Sequence, residues 1–314
     1  MRDGYGREID YLRLSVTDLC NYRCRYCMPE AGVVKLSHGD ILSVEEIGEI
    51  GAAAVDCGIR KIRLTGGEPL VRRGILDICR LLAAIPGLSE LCMTTNGSLL
   101  AQYAGPLREA GVDRLNISLD TLAPEKFASI TRRGRLSDVW AGVDAAERAG
   151  FSRLKFDVVL IGGFNDGEIA DFADLTRTHP WEVRFIELMP MGECAGWDPA
   201  CFLSDEAVLR ACPELLPIGA EGVARRYRLP GAAGSVGLIS PMSCDFCGEC
   251  RRIRLTADGK LKGCLHSREE IPLRGLHGDA LRSAIRRAVA SKPERHRLTE
   301  TGSGTPRDMN EIGG

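Results

Sequence analysis

Six short runs of strand-forming residues recur through the first two thirds of this chain, and their spacing leaves few folds open. They read YLRLSVT (Tyr11 to Thr17), KIRLTGG (Lys61 to Gly67), ELCMTTNG (Glu90 to Gly97), RLNISLD (Arg114 to Asp120), RLKFDVVLI (Arg153 to Ile161) and EVRFIELMP (Glu182 to Pro190). Each has the length of a strand and ends in turn-forming or polar residues. Helical periodicity fills most of the gaps. In SVEEIGEIGAAAVDCG, Ser43 is placed to cap, Glu46 sits third in the helix and Gly58 ends it. LSDVWAGVDAAERAG and NDGEIADFADLTR read the same way, and DALRSAIRRAVAS predicts the last helix. Strand and helix in alternation predict an α/β fold, a parallel sheet covered by helices. Six units are too few for a complete eight-fold barrel, and a doubly wound open sheet competes, because strand order is not legible in sequence.

The polar residues of these units gather at one edge. Thr17, Gly66, Gly67, Thr94 to Gly97, Ser118 and Met189 lie near the C-terminal ends of their strands, where parallel α/β folds assemble sites. After Pro190 the alternation gives way to loops and short strands. This predicts a first domain over residues 1–221 and a smaller region over 222–314. The end, TETGSGTPRDMNEIGG, reads as a flexible tail that finishes on Gly313 and Gly314.

Forty-one basic and 43 acidic residues leave a net charge of −2, so no global basic field argues for nucleic acid. No run reaches the roughly eighteen apolar residues of a membrane span. The start, MRDGYGREIDYLRL, lacks the apolar stretch of a secretory signal. A cytoplasmic location follows as the expectation, with thiols kept reduced. Thirteen cysteines then need an explanation other than disulfides. Cys57, Cys79 and Cys92 sit in apolar patterns and read as small core residues.

Two tight sets remain. Cys20, Cys24 and Cys27 are spaced C-x3-C-x2-C, one ligand short of a zinc site and without a matched second pair. Three thiolates on a four-iron cube would leave one iron open, so iron–sulfur is the better reading. Cys247, Cys250 and Cys264 are spaced C-x2-C-x13-C, with an extra Cys244 before them. On spacing alone zinc, with Cys244 or His266 as fourth ligand, and iron–sulfur stand level. Arg252 and Arg254 follow on one face of an extended segment. Forked guanidinium donors suit phosphate oxygens.

The first set, with Tyr26 before its last cysteine and the turn GGEP (Gly66 to Pro69) one strand–helix unit later, resembles the radical S-adenosylmethionine superfamily. The string CDFCGECRRIRLTADGKLKGCL resembles the C-terminal cluster of the GTP 3′,8-cyclase family of molybdenum cofactor biosynthesis. GREIDYLRLSVTDLCNYRCRYCMP, KIRLTGGEPLVRR, TTNG, RLNISLDTL, VRFIELMPMG, YRLPGAAGSVGLISP and the terminal IGG are similar to that family in order and register. The resemblance covers essentially the whole chain.

That resemblance implies a partial (βα)6 TIM-like barrel and a smaller C-terminal region carrying a second cluster. Each cysteine trio would hold a [4Fe–4S] cluster. The open iron of the first would bind S-adenosylmethionine and that of the second the guanine of GTP. A 5′-deoxyadenosyl radical would remove hydrogen from C3′ of the ribose, and C3′ would join C8. Arg13, Arg63, Thr94, Lys155, Arg252, Ile253 and Arg254 match the family's GTP positions, with Arg13, Arg252 and Arg254 as catalytic residues. Tyr26, Gly67, Ser118 and Met189 match its contacts to S-adenosylmethionine, and the Gly-Gly tail would reach the site. The implied partners are GTP, cyclic pyranopterin monophosphate synthase as the next enzyme, and a flavodoxin- or ferredoxin-like electron donor. Neither nucleic acid nor membrane is expected, and the chain would act as a monomer or homodimer. Four positions depart from the family pattern. Leu19 stands for arginine, Arg251 and Asp157 for asparagine, and Cys244 for histidine or glutamine.

Overall fold

In a computed structural model the described residues are 1–33, 36, 37, 39–244 and 246–312. The expectation for the Gly313–Gly314 end lies outside them. The predicted strands form β1 (Tyr11–Ser15), β2 (Lys61–Thr65), β3 (Glu90–Thr95), β4 (Arg114–Ser118), β5 (Lys155–Leu160) and β6 (Glu182–Glu187). Each pairs in parallel with the next. This consecutive order, without a reversal, is that of a barrel and excludes the doubly wound alternative. Right-handed crossovers then put the connecting helices on one side.

Strand alternation divides the sheet's two faces by chemistry. Leu12, Leu14, Ile62, Leu64, Leu91, Met93, Leu115, Ile117, Phe156, Val158, Val183 and Phe185 form one face, all buried in the hydrophobic core. The other alternates, among them Arg13, Arg63, Asn116, Lys155, Asp157 and Arg184, line the inside. An ordinary barrel of this kind fills its interior with branched apolar side chains. Here the interior is polar, which is room made for a polar ligand rather than for a core.

Helices form where the periodicity put them. The first, Val44–Asp56, is held by both bonds of the capping box. The Glu46 amide donates to Ser43 Oγ at 3.1 Å, and the Ser43 amide donates to Glu46 Oε2 at 2.7 Å. Gly58 follows at φ +108°, and a Cβ there would stand 2.8 Å from the Met1 nitrogen. Leu136–Arg148, Ile169–Thr178 and Gly278–Ala290 confirm the other three.

The C-terminal half extends both edges of the sheet. Strand β7 (Leu216–Glu221) and β8 (Ala224–Arg228) make a hairpin, and β9 (Ser235–Ile239) joins β6 in parallel. Strand β10 (Arg252–Leu255) pairs in parallel with β1, followed by β11 (Lys260–Lys262) and β12 (Ile271–Pro272). The bare edges of β1 and β6 are thereby paired. The division expected after residue 221 falls in the hairpin turn.

One expectation needs correcting. The tail is anchored, not loose, as far as Ile312. Arg307 pairs with Glu270 at 2.6 Å and Asp258 at 2.8 Å, Asn310 donates to the Asp18 carbonyl at 3.1 Å, and Ile312 is fully buried. Low hydrophobicity hid ion pairs made to distant residues. Cys57, Cys79 and Cys92 are buried core residues as read, Cys92 standing in register with Arg63 and Arg114. No described helix is long and apolar enough to cross a membrane.

Candidate active site

The first cysteine set occupies the loop that leaves β1. Cys24's carbonyl accepts from the Cys27 and Met28 amides at 2.9 and 3.1 Å, and Cys20 Sγ accepts from the Tyr22 amide at 3.3 Å. The loop is clamped from outside. Arg23 and Arg25 amides donate to the Thr131 and Ile130 carbonyls, each at 3.0 Å, and Arg132, at φ +60°, donates to the carbonyls of Arg23 and Met28. Burial pushes the Cys20 thiol up to about 11 and the Cys27 thiol up to about 12, with neighbouring negative charge adding to both. Cys24 is raised for the same reasons. Three half-buried soft donors that cannot ionise alone fit a cationic metal cluster that would take up their charge.

The turn after β2 is built against this loop. Gly67 and Glu68 amides donate to the Thr17 and Leu19 carbonyls at 2.9 and 2.8 Å. A Cβ on Gly66 would lie 2.3 Å from Thr17 O, and one on Gly67 2.3 Å from Leu19 O. Both glycines are therefore required by the loop beside them, a reason the motif alone did not supply. Glu68, which sequence reasoning left without a role, is the brace between turns. It accepts from the Leu70 amide, Thr95 Oγ1 and the Asn96 amide at 3.0, 2.7 and 2.7 Å. Asn96 in turn reaches Cys20 Sγ at 3.9 Å. Burial lifts Glu68 to about 7 even against these bonds.

Tyr26 donates to Asp120 Oδ2 at 2.7 Å, while Asp120 Oδ1 accepts from the Val159 amide at 2.9 Å. Burial pushes the Asp120 carboxyl up to about 6. Ser118 ends β4 two residues before this carboxylate, and Met189 follows β6, its carbonyl accepting from the Met191 amide at 2.8 Å. These residues share the edge of the sheet that carries the cysteine loop.

Inside the sheet the register sets cations side by side. Arg13 lies opposite Arg63 on β2 and Arg254 on β10, and Tyr11 lies opposite Arg252. Burial and its neighbours Arg63 and Arg252 bring Arg13 down to about 10, although Tyr11 favours its charge. Burial and the positive charge of Arg13 and Arg252 lower Arg254 too. Arg63 donates to Tyr11 Oη at 2.6 Å, Asn116 Oδ1 at 2.8 Å and Thr94 Oγ1 at 3.3 Å. Asp157 accepts from Asn116 Nδ2 at 2.8 Å through one oxygen, and its other oxygen is buried without a partner among the described residues.

Lys155 sits lower in the same interior, 2.6 Å from Glu221 Oε1 and 3.1 Å from Glu182 Oε2. Ile253 takes the opposite orientation from Arg252 and Arg254. Its side chain is fully buried in the core, which leaves only its backbone for any ligand. Tyr11, Asn116, Arg114 and Arg184 were not singled out from sequence. Their signal was a polar residue at every second position of an otherwise apolar strand.

Cys247 and Cys250 of the second set lie just before β10, and Cys264 follows β11. Cys247–Glu249 form a turn of 3₁₀ helix, and the Cys250 amide donates to the Cys247 carbonyl at 3.2 Å. Burial disfavours a thiolate at Cys250, yet Arg252 and Lys292 bring it down to about 6. Soft donors next to fixed positive charge fit an anionic metal–thiolate cluster here as well. Cys244 is exposed and lines a cavity of about 360 Å³ with Arg225, Leu238, Phe246 and Glu249. His266 faces Ser303 and His296.

Comparison with known proteins agrees with this architecture. The radical SAM superfamily matches residues 14–176, and the Molybdenum Cofactor Synthesis C family matches residues 181–298. A GTP 3′,8-cyclase of Alkaliphilus oremlandii is 48% identical over the full length of both chains. One from Peptoclostridium acidaminophilum is 51% identical over 99% of this chain and 98% of its own.

The chain belongs to the GTP 3′,8-cyclase family.

A further GTP 3′,8-cyclase, from Geobacter sulfurreducens, is 50% identical over 95% of this chain and 94% of its own. In fold, this chain superimposes on Streptococcus suis SuiB bound to S-adenosylmethionine. That match has a TM-score of 0.62 over 89% of this chain and 68% of the other, at 13% identity.

Proposed function

We propose that this protein is a radical SAM lyase that converts GTP to (8S)-3′,8-cyclo-7,8-dihydroguanosine 5′-triphosphate, the first step of molybdenum cofactor biosynthesis. The observation that carries the reading is the row of Arg63, Arg13 and Arg254 across β2, β1 and β10. It joins a cationic interior to both cysteine sets, through the loop after β1 and the turn before β10.

Cys20, Cys24 and Cys27 would hold one [4Fe–4S] cluster, and Cys247, Cys250 and Cys264 the other. When bound, the clusters and S-adenosylmethionine supply the one-electron chemistry that opens the C3′–H bond and closes the C3′–C8 bond. The chain binds, orients and excludes water. Tyr26, Gly67, Ser118 and Met189 serve the cofactor at the strand ends. Arg13, Arg63, Thr94, Lys155, Arg252 and Arg254, with the backbone of Ile253, hold GTP. Guanidinium groups crowded enough to lower one another's affinity for a proton gain most from a polyanion between them. Asp120, tied to the Tyr26 hydroxyl and the Val159 amide, fixes the aromatic ring next to the first cysteine set.

The division into a core, residues 1–221, and an auxiliary-cluster region, residues 222–314, belongs to this reading. So do a cytoplasmic setting, a flavodoxin- or ferredoxin-like electron donor, transfer of product to cyclic pyranopterin monophosphate synthase, and action as a monomer or homodimer. The test is anaerobic incubation of reconstituted protein with S-adenosylmethionine, reductant and GTP, with mass spectrometry of the products. GTP-dependent 5′-deoxyadenosine and the cyclic triphosphate are expected. Arg13→Ala and Arg254→Ala should lose the cyclic product, with cleavage of S-adenosylmethionine falling toward its GTP-free level. Cleavage indifferent to GTP in the unaltered protein would refute the assignment.

A further inference from the structure

Lys292 lies just beyond the helix Gly278–Ala290 and is 3% exposed. Its ammonium donates to Cys250 Sγ at 3.5 Å, to the Arg252 carbonyl at 3.0 Å and to the Gly263 carbonyl at 2.8 Å. All three donors are thus spent on the turn that carries the second cysteine set. They touch one of its sulfurs, the strand after it and the residue before Cys264. The approach depends on Gly263, where a Cβ would stand 2.9 Å from the Ala288 carbonyl and 3.1 Å from Lys292 Cα.

The third cysteine is tied to the same segment by a second buried cation. Arg7 donates to the Cys247 carbonyl at 2.8 Å and to the carbonyls of Pro293 and Glu294 at 2.6 and 2.8 Å. The two cations differ in their counter-charge. Arg7 carries its own, with Asp3 at 2.6 Å. Lys292 donates to two neutral carbonyls and the Cys250 sulfur, so its charge is directed at whatever the sulfurs hold. A buried ammonium is costly unless a negative group faces it. The electron affinity of an iron–sulfur cluster rises with hydrogen bonds to its sulfurs and with nearby positive charge.

We propose that Lys292 is a positioning residue for the second cluster, fixing the Cys250 and Cys264 sides of its loop and raising the cluster's electron affinity through its charge. The proposal rests on the reading that Cys247, Cys250 and Cys264 hold a cluster. It assigns the charge of a residue outside the cysteine motif to the redox half of the reaction.

The test uses full-length, anaerobically reconstituted protein and reads iron per chain and potentiometric titrations followed by electron paramagnetic resonance. Replacing Cys20, Cys24 and Cys27 by Ala isolates the second cluster. Lys292→Gln removes the charge and Lys292→Arg keeps it. At the potential where the unaltered second cluster is half reduced, Lys292→Gln should shift the oxidised-to-reduced ratio at least about tenfold toward oxidised, or ~59 mV for one electron. Lys292→Arg should stay within about threefold, and the first cluster, followed in the chain that keeps Cys20, Cys24 and Cys27, should not move. Loss of the second cluster alone in Lys292→Gln, restored in Lys292→Arg, also supports the proposal. An unchanged ratio in Lys292→Gln, equal shifts in the two variants, movement of the first cluster, or loss of iron or folding in both variants overturns it. If the unaltered protein never loads a second cluster, the reading of the cysteines fails instead, and the two failures are told apart.

Discussion

Replacing Gly66 by Ala imposes two costs at one atom. The residue sits at φ +139°, where an L side chain is strained by about 1–3 kcal/mol. Its new Cβ would also lie 2.3 Å from the Thr17 oxygen and 3.2 Å from the Thr17 nitrogen. Both are backbone, so no rotamer change relieves them. The carbonyl must retreat by about 0.7 Å, and overpacking of this kind costs roughly another 1–3 kcal/mol. That retreat also strains the 2.9 Å bond that Thr17 accepts from the Gly67 amide. Together the penalty is about 2–6 kcal/mol, comparable with the smaller values of total stability for a folded chain. Much of it falls on Asp18 and Leu19, the two residues between Thr17 and Cys20. The expected results are a melting temperature lower by about 4 °C or more in the metal-free protein and a first cluster that loads less iron. Gly105→Ala is the control, because nothing lies within 4 Å of a Cβ there and it sits inside the helix Leu100–Glu109. The gain in helix propensity is offset by the following Pro106, which disfavours helical geometry at a residue with a Cβ, so stability should change by less than about 1 kcal/mol. A Gly66→Ala protein that melts within about 1 °C of the parent and loads the same iron would refute the reasoning.

Glu221→Gln removes a carboxylate oxygen that lies 2.6 Å from Lys155 and 3.5 Å from both Arg114 and Arg184. The freed cations should bind GTP about two- to fivefold more tightly by calorimetry, and weaker binding would count against their facing the triphosphate. Burial disfavours the charge of Glu221, yet Lys155, Arg184 and Arg114 hold its carboxyl at about 2, below the ordinary 4.5. A depressed carboxylate stabilises fully above 4.5 and loses that contribution as pH falls toward 2, so the melting difference between Glu221→Gln and the parent should shrink across that window. Arg7→Met leaves Asp3 buried without its cation and frees three carbonyls. A loss of about 3–5 kcal/mol in chemical denaturation is expected, and a change under about 1 kcal/mol would show the pair to be dispensable. Cys244→Ala should leave both iron content and turnover unchanged. A drop of about four iron atoms per chain would make Cys244 a ligand, and unchanged iron with lost turnover would place it in the reaction.

The strands, their order along the chain and the helices between them were legible because each depends on local periodicity. A period of two or 3.6 is written into neighbouring residues. The cysteine trios and the GGEP turn were legible for the same reason, as short-range spacing. One local reading went astray where a distant partner decided the outcome. The tail holds through Arg307 to Asp258 and Glu270.

By itself, then, the sequence determined a parallel α/β fold, two trios of soft ligands and a supply of arginines. It could not show that β10 lies against β1, since roughly 240 residues separate Arg13 from Arg254 along the chain. Only the sheet register brings Arg63, Arg13 and Arg254 into one row, and only the close approach of Gly263 to the end of a helix sets Lys292 on Cys250. The physical reason is common to both. Alternation fixes which face a side chain takes, but which strands become neighbours is settled when the bare edges of β1 and β6 find partners far along the chain.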